Sequence, residues 1–441
     1  MTDASRTMLE AITTKVARRE LRVAVVGLGY VGLPLAARFA SCGFPVVGLD
    51  LDARKVAAIE AGTSYIPDVP SAEIAAAVAA KTLRASRDPA VLADADFVSV
   101  CVPTPLSKFR EPDLSAVMSV TESIQRHLRP GQVISYESTT YPGTTDEAVE
   151  PQLARTGLKP GRDYFLAFSP ERIDPGRKDF TLQTTPKVVG GVTPSCTEAA
   201  AACYGAVIDR VVRVSSARAA EMAKMLENTF RSVNIGLVNE MAIICDRLKI
   251  PIFEVIQAAS TKPFGFMPFF PGPGLGGHCL PIDPLYLSWK MRSLDYRARF
   301  IEIAEEVNRS MPAYVVSKVA AALNATKKAV NGSRVLVLGA AYKKNIDDVR
   351  ESPAIDVIKQ LRDLGADVEY HDPYIATLEH EGLPLRSVPL DDARLRACDC
   401  AVVVTDHSCF DWARIVSSAP IVVDTRNATA AVRDRGEVVL L

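Results

Sequence analysis

Short apolar runs alternate along the first half of the chain with segments whose apolar residues recur at helical spacing. The runs at 23–26, 45–49, 97–101 and 133–136 are apolar at nearly every position, as strands are when both faces of their sheet are covered. Parallel strands need long crossover connections, which the intervening helical segments supply. The alternation therefore predicts a parallel sheet with crossover helices.

A longer segment, from about residue 215 to residue 248, has no proline and predicts one continuous helix. Its apolar residues recur at helical spacing, at Met222, Leu226, Phe230, Val233 and Leu237. This helix carries more apolar surface than one domain can cover, which favours a homodimer or a higher homo-oligomer. We expect the helix to connect two domains.

A second alternating set follows the turn predicted at Asn331 and Gly332. Its apolar runs lie at 335–338, 368–370, 401–404 and 421–423. We therefore predict an α/β fold with two Rossmann-like doubly wound parallel-sheet domains, joined by a long central helix and a helical region. The predicted boundaries are an N-terminal extension at 1–20, a first domain at 21–210, the central helical region at 211–325 and a second domain at 326–441.

Length and composition agree with several domains in one globular chain. The protein has 441 residues, a length greater than one hydrophobic core normally holds. Of these residues, 48% are hydrophobic and 23% are charged, which is typical of a globular protein. With 51 basic and 52 acidic residues the formal net charge is -1, which gives no bulk attraction to nucleic acid or to an anionic membrane. Residues 1–20 lack an apolar core, so we expect a short helical extension there and neither a signal peptide nor a membrane span.

Nine cysteines, an odd number without the spacing of a small disulfide framework, indicate reduced thiols in a cytoplasmic enzyme. Cys398 and Cys400 precede an apolar run and are predicted to lie in a strand. The histidines lack ligand spacing, so we expect no metal site; they are His127, His278, His371, His380 and His407.

The first apolar run leads into a glycine turn that precedes a helical segment. Gly27 permits the tight turn, Gly29 lets a pyrophosphate approach the backbone, and Gly32 allows the helix to pack closely. The helix N-terminus adds amide donors and the positive end of a dipole. Strand, turn and helix together predict a dinucleotide site that includes Tyr30 and Val31, rather than a glycine turn in a domain without a ligand.

Asp50 closes the second strand at the distance that a dinucleotide site requires. Its carboxylate would accept hydrogen bonds from both ribose hydroxyls and would repel a 2'-phosphate, so NAD is favoured over NADP. The basic residues Arg54 and Lys55 weaken that preference, and we assign Lys55 to the cofactor site as well.

Residues 272–284 place a cysteine between a glycine run and an aspartate. The glycines would let a ligand approach the backbone, and Cys279 near Asp283 is a candidate nucleophile. A small buried hydrophobic residue is the other reading of a free cysteine, and the spacing leaves both open. His278 adjoins Cys279, but adjacent residues seldom form a nucleophile and base pair, which disfavours a cysteine hydrolase.

Three segments together resemble the UDP-glucose/GDP-mannose dehydrogenase family. The resemblance covers nearly the whole chain after residue 20. Within the family, the cysteine segment is similar to bacterial members that act on UDP-N-acetylglucosamine in surface-polysaccharide synthesis. The three segments are residues 220–228 with Lys224 and Asn228, residues 271–290 with Cys279 and Asp283, and residues 343–353 with Arg350.

The resemblance implies a four-electron oxidation, in which two hydride transfers to two NAD molecules convert the primary alcohol of a UDP-sugar into a carboxylate. It implies that Cys279 adds to the intermediate aldehyde as a thiohemiacetal, whose oxidation gives a thioester that water hydrolyses. Asp283 would then position or activate a water molecule.

Lys224 and Asn228 lie four residues apart on the predicted helix and so share a face. The resemblance assigns both to catalysis and to substrate binding, where an ammonium and an amide stabilise a developing oxyanion. From the residues alone, an exposed Lys224 paired with Glu221 is the more ordinary interpretation.

Two loops that follow predicted strands carry further family positions. The resemblance makes Glu171 a general base for thioester hydrolysis and a substrate contact, and Thr140 a group that holds water or substrate. Thr139 is a rival for that role and is assigned to the cofactor, as are Pro103 and Thr104. Taken singly, a turn-capping threonine and a solvated loop glutamate are the ordinary readings.

In the second domain the resemblance places the UDP moiety. Tyr342 and Lys343 offer an aromatic ring and a cation to the base and the diphosphate. Arg426 matches another substrate position, Arg172 is assigned to the substrate, and Arg350 matches an arginine that reaches the cofactor. As isolated basic residues, each would more often be a surface charge.

Two features separate this chain from glucose-oxidising relatives, which usually carry serine at the position of His278 and often carry lysine where this chain has Pro281 and Ile282. Both favour an N-acetylated sugar, with UDP-N-acetylglucosamine preferred and UDP-N-acetylmannosamine or UDP-glucose as alternatives. An alternative of a different class is a catalytically silent protein that binds NAD and a nucleotide sugar.

Overall fold

Two units make up this protein, and each is built on its own sheet. The computed structural model describes residues 3–107, 110–173, 179–434 and 436–441. Unit 1 comprises Met1–Glu227 and Trp289–Asp295, and unit 2 comprises Asn228–Ser288 and Tyr296–Leu441. The prediction of an α/β fold with two sheets is therefore confirmed.

The sheet of unit 1 has eight strands among the described residues, in the order β3-β2-β1-β4-β5-β6-β7-β8. A nucleotide site forms in such a sheet at the switch between β1 and β4. The strands are β1 (Val23–Val26), β2 (Val46–Leu49), β3 (Leu83–Ser86), β4 (Phe97–Val100), β5 (Val133–Tyr136), β6 (Phe165–Phe168), β7 (Lys187–Gly191) and β8 (Val211–Arg213).

The strands of this sheet are parallel except at one edge. Strands β6 and β7 pair antiparallel, so β7 and β8 run against the other six. The predicted parallel sheet is confirmed for β1 to β6. The antiparallel pair was not predicted, and the described part of the connection from β6 to β7 contains no crossover helix.

Successive residues of each central strand enter two different cores. Val23 and Val25 lie in one core, and Ala24 and Val26 lie in the other, which explains why the sequence is apolar at every position. The helices of unit 1 are α1 (Asp3–Ala17), α2 (Gly32–Ser41), α3 (Ala53–Glu60), α4 (Ser71–Ala79), α5 (Ser115–His127), α6 (Glu150–Leu153), α7 (Pro194–Gly205) and the first part of α8 (Ala217–Leu248).

Five parallel strands form the sheet of unit 2 among the described residues, in the order β10-β9-β11-β12-β13. They are β9 (Arg334–Leu338), β10 (Asp367–His371), β11 (Cys400–Val403), β12 (Val422–Asp424) and β13 (Val438–Leu440). The remaining helices are α9 (Ile252–Ala259), α10 (Asp283–Arg292), α11 (Arg299–Ala325), α12 (Pro353–Asp363), α13 (Asp392–Ala397) and α14 (Trp412–Ser418).

Several sequence predictions can be compared directly with these elements. The N-terminal extension forms helix α1, which packs against α7, and the long segment forms α8 with 32 residues. Cys400 lies in β11, but Cys398 is the C-cap residue that directly follows α13. Its assignment to a strand is wrong, because a short helix runs up to it. In the described part of the chain, no helix has the length and apolarity needed to cross a membrane.

Helix α11 has a proline in its interior. Pro312 is buried and has no N–H, so the hydrogen bond that residue 312 would otherwise donate to the carbonyl of Asn308 is missing. The carbonyl of Asn308 is thereby released from the regular helical pattern.

Candidate active site

The cofactor turn, residues 27–32 between β1 and α2, is shaped by close backbone contacts. Gly27 has φ +89°, and a Cβ there would lie 2.6 Å from the carbonyl oxygen of Cys101. A Cβ on Gly32 would lie 1.8 Å from the carbonyl oxygen of Gly27. Both positions therefore exclude any side chain.

Gly29 has a different environment. A Cβ on Gly29 would meet no atom of the described residues within 4 Å. Helix α2 begins directly after Val31, whose side chain makes no capping hydrogen bond, and Tyr30 is 40% exposed. Open space beside Gly29 at the start of helix α2 suits the pyrophosphate of NAD.

Asp50 lies at the end of β2 and is held at both carboxylate oxygens. Oδ2 accepts hydrogen bonds from the Leu28 amide at 2.8 Å and from Lys55 Nζ at 3.0 Å, and Oδ1 accepts one from the Asp52 amide at 2.9 Å. Burial raises the pKa of Asp50, but the two amides and Lys55 outweigh it and lower the pKa below its usual value. Asp50 is therefore an anion at neutral pH, as the ribose contact requires.

The loops after β4 and β5 are bonded to each other. Thr104 is buried and its hydroxyl donates to the carbonyl of Thr139 at 2.7 Å, while Pro103 is exposed. Thr140 is 3% exposed, and its hydroxyl has no hydrogen-bond partner among the described residues. A buried hydroxyl in that state suits the predicted contact with water or substrate.

Glu171 and Lys224 are brought together in unit 1. Lys224 Nζ donates to the main-chain carbonyl of Glu171 at 2.7 Å, and Lys224 is 9% exposed. The Glu171 carboxylate accepts at Oε1 from the amides of Arg172 at 2.8 Å and Ile173 at 2.6 Å. The solvated glutamate and the exposed lysine are therefore not what the structure shows.

The alternative pair of Lys224 with Glu221 is also absent from the described contacts. Glu221 is fully buried and accepts from the amides of Gly143 and Thr145 and from the Thr145 hydroxyl. Burial raises the pKa of Glu221 to about 7. The first turns of α8 thus hold two loops, one through Glu221 and one through Lys224.

A buried lysine that the sequence analysis missed connects two glutamates of unit 1. Lys187 is 3% exposed, and its Nζ donates to Glu137 Oε2 at 2.5 Å and to Glu171 Oε2 at 3.2 Å. These partners lie 50 and 16 residues away in the sequence. Sequence spacing gave no signal for the contact, and a lysine directly before a short apolar run was the available hint.

In unit 2, Cys279 lies in the loop that leads into helix α10. Cys279 is exposed, and its carbonyl accepts from the Asp283 amide at 2.8 Å. Asp283, the first residue of α10, is buried and accepts from Asn228 Nδ2 at 2.5 Å. Three of the predicted catalytic residues therefore lie together, and Cys279 is not the small buried residue of the alternative reading.

In the cysteine loop, residues 272–282, side chains of the protein itself lie so close to the backbone that they leave no room for a Cβ at several glycines. A Cβ on Gly276 or Gly277 would lie 2.6 Å from Tyr342, at its Cβ and its ring respectively. A Cβ on Gly272 would lie 2.5 Å from the guanidinium of Arg426. We expected a ligand to approach this backbone, but Tyr342 and Arg426, both predicted substrate residues, occupy the positions that a Cβ would take.

Buried asparagines hold the start of the cysteine loop. Asn239 accepts from the Gly272 amide at 2.9 Å and donates to Asn308 Oδ1 at 2.9 Å. A Cβ on Gly274 would lie 3.2 Å from the Asn308 carbonyl oxygen, the oxygen that Pro312 leaves without its helical bond. Neither asparagine was predicted from the sequence as a site residue; the available signal was a polar residue at a core position of a helix.

The remaining basic residues of the prediction fall into different settings. Arg350 pairs with Asp348 at 2.6 Å, and its carbonyl accepts from the Gly277 amide at 3.0 Å. Arg172, in unit 1, pairs with Glu227 at 2.8 Å. Burial, followed by the charge of Arg350, lowers the pKa of His278, which favours a neutral imidazole beside Cys279.

The loop that carries Tyr342 and Lys343 is fixed by a buried histidine and aspartate. His407 Nδ1 accepts from the Asn345 amide at 2.9 Å, so Nε2 carries the proton and donates to Asp372 Oδ2 at 2.9 Å. His407 and its partner carboxylate are both fully buried. In the described residues no group of three His, Cys, Asp or Glu side chains is arranged to hold a metal ion.

Comparison with known proteins assigns the three parts of the chain to one family. The NAD binding domain of the UDP-glucose/GDP-mannose dehydrogenase family matches residues 21–208. The central domain of that family matches residues 218–310, and its UDP binding domain matches residues 336–431.

Individual relatives agree with the family match. A UDP-N-acetyl-D-glucosamine 6-dehydrogenase of Pseudomonas aeruginosa is 38% identical over 360 residues, 81% of this chain and 84% of its own. A UDP-N-acetyl-D-mannosamine dehydrogenase of Methanococcus maripaludis is 36% identical over 394 residues, 88% of this chain and 87% of its own. The solved structure of UDP-D-ManNAc dehydrogenase from Pyrococcus horikoshii has a TM-score of 0.87 and 31% identity, and covers 95% of this chain and 99% of that one. The chain therefore belongs to the UDP-glucose/GDP-mannose dehydrogenase family and is an NAD-dependent nucleotide-sugar dehydrogenase.

Proposed function

We propose that the protein oxidises the primary alcohol of a UDP-sugar to the uronic acid through a covalent bond to Cys279. The observation that carries this proposal is an exposed thiol whose main-chain carbonyl accepts from the amide of Asp283, a buried residue bonded to Asn228. A thiol that only filled space would be buried. An exposed thiol in the loop that leads to a fixed carboxylate and amide is suited to bond formation with a substrate carbon.

The proposed reaction balances over two oxidations. NAD, when bound, accepts one hydride in each of them. The Cys279 thiolate adds to the aldehyde formed first, and the resulting thiohemiacetal loses a hydride to give a thioester. Water then attacks the thioester, releasing the acid and the thiolate. One alcohol, one water and two NAD give one acid, two NADH and two protons.

The surrounding side chains take the remaining roles. Lys224 and Asn228 stabilise the oxyanion of the addition steps. Asp283 positions the attacking water, and Thr140 has a buried hydroxyl with bonding capacity to spare. Glu171 is proposed as the base for hydrolysis, although both of its oxygens already accept hydrogen bonds, so it would have to give one of them up to take a proton.

We propose UDP-N-acetylglucosamine as the substrate, with Tyr342, Lys343 and Arg426 on the UDP moiety, Arg172 on the sugar and Arg350 on the cofactor. The relative from Pseudomonas aeruginosa is named for that sugar, whereas those from Methanococcus and Pyrococcus are named for the mannosamine isomer. UDP-N-acetylmannosamine and UDP-glucose are accordingly the rival substrates. A pocket distinguishes such close analogues by a few hydrogen bonds.

The test pairs two exposed cysteines. Cys279→Ser should lower acid production by roughly 1,000-fold or more while NAD still binds, because serine cannot form a thioester. Cys409→Ser alters another exposed thiol and should leave the rate unchanged. Both are assayed by NADH release and product mass with each of the three UDP-sugars.

Each result has a distinct meaning. Two NADH per acid, fastest with UDP-N-acetylglucosamine, supports the whole proposal, and faster turnover of another sugar changes only the substrate. Full acid production by Cys279→Ser contradicts the covalent step. NAD and sugar binding without any turnover supports the alternative of a silent binding protein.

We propose in addition a homodimer or a larger homo-oligomer. Large apolar side chains of unit 2 are exposed in one stripe along α8 and at the start of α11, a feature typical of subunit interfaces. Light scattering should give at least twice the chain mass of 47.6 kDa, and a monomer mass would contradict this. The residues are Phe230, Leu237, Met241, Ile244, Leu248, Phe300 and Ile303.

A cytoplasmic location and a role in surface-polysaccharide synthesis belong to the same proposal. All nine cysteines are free thiols, in agreement with a reducing compartment. Fractionation of cells into cytosol, membrane and exported protein would test the location directly.

A further inference from the structure

We propose that Lys187 is a positioning residue for the reaction: it fixes the Glu171 carboxylate, and residue 171 thereby keeps the ammonium of Lys224 in place through its main-chain carbonyl. The inference rests on the proposed function for its catalytic meaning. Its geometry lies entirely within unit 1, in the contacts of Lys187 with Glu137 and Glu171.

Strand β7 gives Lys187 a fixed origin. Its amide donates to the carbonyl of Arg210 at 2.9 Å, and the residue pairs in register with Val211 of β8. The side chain is 3% exposed, and a lysine buried to that extent stays charged only beside carboxylates. Two carboxylates within hydrogen-bond distance meet that requirement, and they raise the pKa of Lys187 above its usual value despite burial.

Glu137 serves mainly as the fixed counter-charge. Its Oε1 accepts from the hydroxyls of Ser99 at 2.6 Å and Tyr204 at 2.7 Å, and its Oε2 accepts from Lys187. With a fully buried side chain and three partners, Glu137 has little freedom to move. The remaining bonding capacity of the lysine is directed to Glu171.

Residue 171 is held at two points as a result. Its Oε2 accepts from Lys187 at 3.2 Å, and its main-chain carbonyl accepts from Lys224 at 2.7 Å. Burial raises the pKa of Glu171, but the charge of Lys187, followed by the Ile173 amide, outweighs it and lowers the pKa below its usual value. Without Lys187, the effect of burial on the pKa of Glu171 would be opposed less strongly, and the loop that carries Glu171 would be less restrained.

The charged and titratable groups that face this cluster come from several elements. Lys187 and Lys224 contribute two positive charges, and Glu137 and Glu171 contribute two negative ones, so the cluster is balanced as built. Tyr204 and Cys101 also face it, and burial raises the pKa of each well above its usual value, so both remain neutral at working pH. Loss of the lysine alone would leave two buried carboxylates with one cation.

The experiment avoids that charge imbalance by comparing two variants in which Glu137 is replaced by the neutral residue glutamine. Glu137→Gln keeps Lys187 and its bond to Glu171. Glu137→Gln/Lys187→Met removes the lysine without leaving Glu137 as an unpaired buried charge. Should the methionine variant fail to fold, Glu137→Gln/Lys187→Gln makes the same comparison with a polar side chain of similar length.

The decisive readout is the acidic limb of the pH dependence of kcat. Lys187 lowers the pKa of Glu171, so its loss should raise that pKa and move the acidic limb to higher pH by about one unit or more. KM for the nucleotide sugar should change little. Adding Lys187→Arg to the Glu137→Gln background should return the limb toward its original position, which a purely structural role does not predict. Coincident limbs in all backgrounds would overturn the proposal.

A second readout needs no substrate. The rate at which an acylating reagent labels Lys224, followed by peptide mass analysis, should rise several-fold when Lys187 is removed from the Glu137→Gln background, because Lys224 loses a fixed acceptor. Equal labelling rates would overturn the proposal. If the unmodified protein oxidises no UDP-sugar, the proposed function fails, and the labelling rates still decide the role of Lys187.

Discussion

The cofactor turn of unit 1 and the cysteine loop of unit 2 are both rich in glycine, for different reasons. In the turn, Gly29 faces a space with no described atom within 4 Å of a would-be Cβ. In the loop, the corresponding position on Gly277 lies 2.6 Å from the ring of Tyr342. The glycine in the loop is required by a side chain of the same protein, whereas the open space at Gly29 is where we propose that the pyrophosphate of NAD lies.

Gly277→Ala should give the largest effect on stability. The new methyl group would overlap the Tyr342 ring, and the φ of +83° is strained for alanine, so we expect a loss of about 3 kcal/mol and a Tm lower by several degrees. KM for the UDP-sugar should rise as the ring is displaced, while NAD affinity stays the same. Thermal unfolding and separate binding titrations measure the three quantities.

Gly265→Ala is the matched control for that variant. Gly265 also has a positive φ, +69°, but a Cβ there would meet no described atom within 4 Å. It should show only the strain, about 1 kcal/mol. If the two variants lose equal stability, the contact with Tyr342 is not the reason for the glycine.

Gly29→Ala should affect NAD binding and leave stability unchanged, the reverse of Gly277→Ala. The expected change in free energy is also smaller. The chain has room for the methyl group, so Tm should stay constant or rise slightly. NAD binding should weaken by about tenfold, or about 1.4 kcal/mol, because the methyl group enters the space assigned to the pyrophosphate. Calorimetric titration with NAD checks this, with Gly205→Ala, where the nearest atom is 3.9 Å away, as the control. Unchanged NAD affinity would place the pyrophosphate elsewhere.

The fold was predictable where the pattern was strong. Runs such as that of β1 are apolar because both faces are buried, and this requirement is written into the local sequence. The strands that escaped notice are short or interrupted by charge. Examples are β3, where Arg84 is exposed, and β8 with three residues. Strands at the edge of a sheet are less buried, so their apolar pattern in the sequence is weaker.

The candidate site was predictable residue by residue but not as a set of contacts. Cys279 and Asp283 are four residues apart in the sequence, so their closeness follows from local spacing. Lys187 and Glu137 are 50 residues apart; Glu137 directly follows β5 and Lys187 begins β7, with β6 between these two strands. No local rule brings them together, because tertiary packing alone determines which strands become neighbours.

Pro312 interrupts the hydrogen bonding of α11 at the point where the cysteine loop packs against this helix. A regular helix is closed to its surroundings along its backbone, since each carbonyl is occupied by an amide one turn later. Pro312 removes one such amide from the Asn308 carbonyl, and Gly274, with a φ of +133°, packs close to that carbonyl and to the Pro312 ring. We expect Pro312→Ala to restore the helical hydrogen bond to Asn308 and to weaken the packing of the loop that carries Cys279. Optimising α11 as an isolated helix would therefore erase the feature that makes it useful to this enzyme.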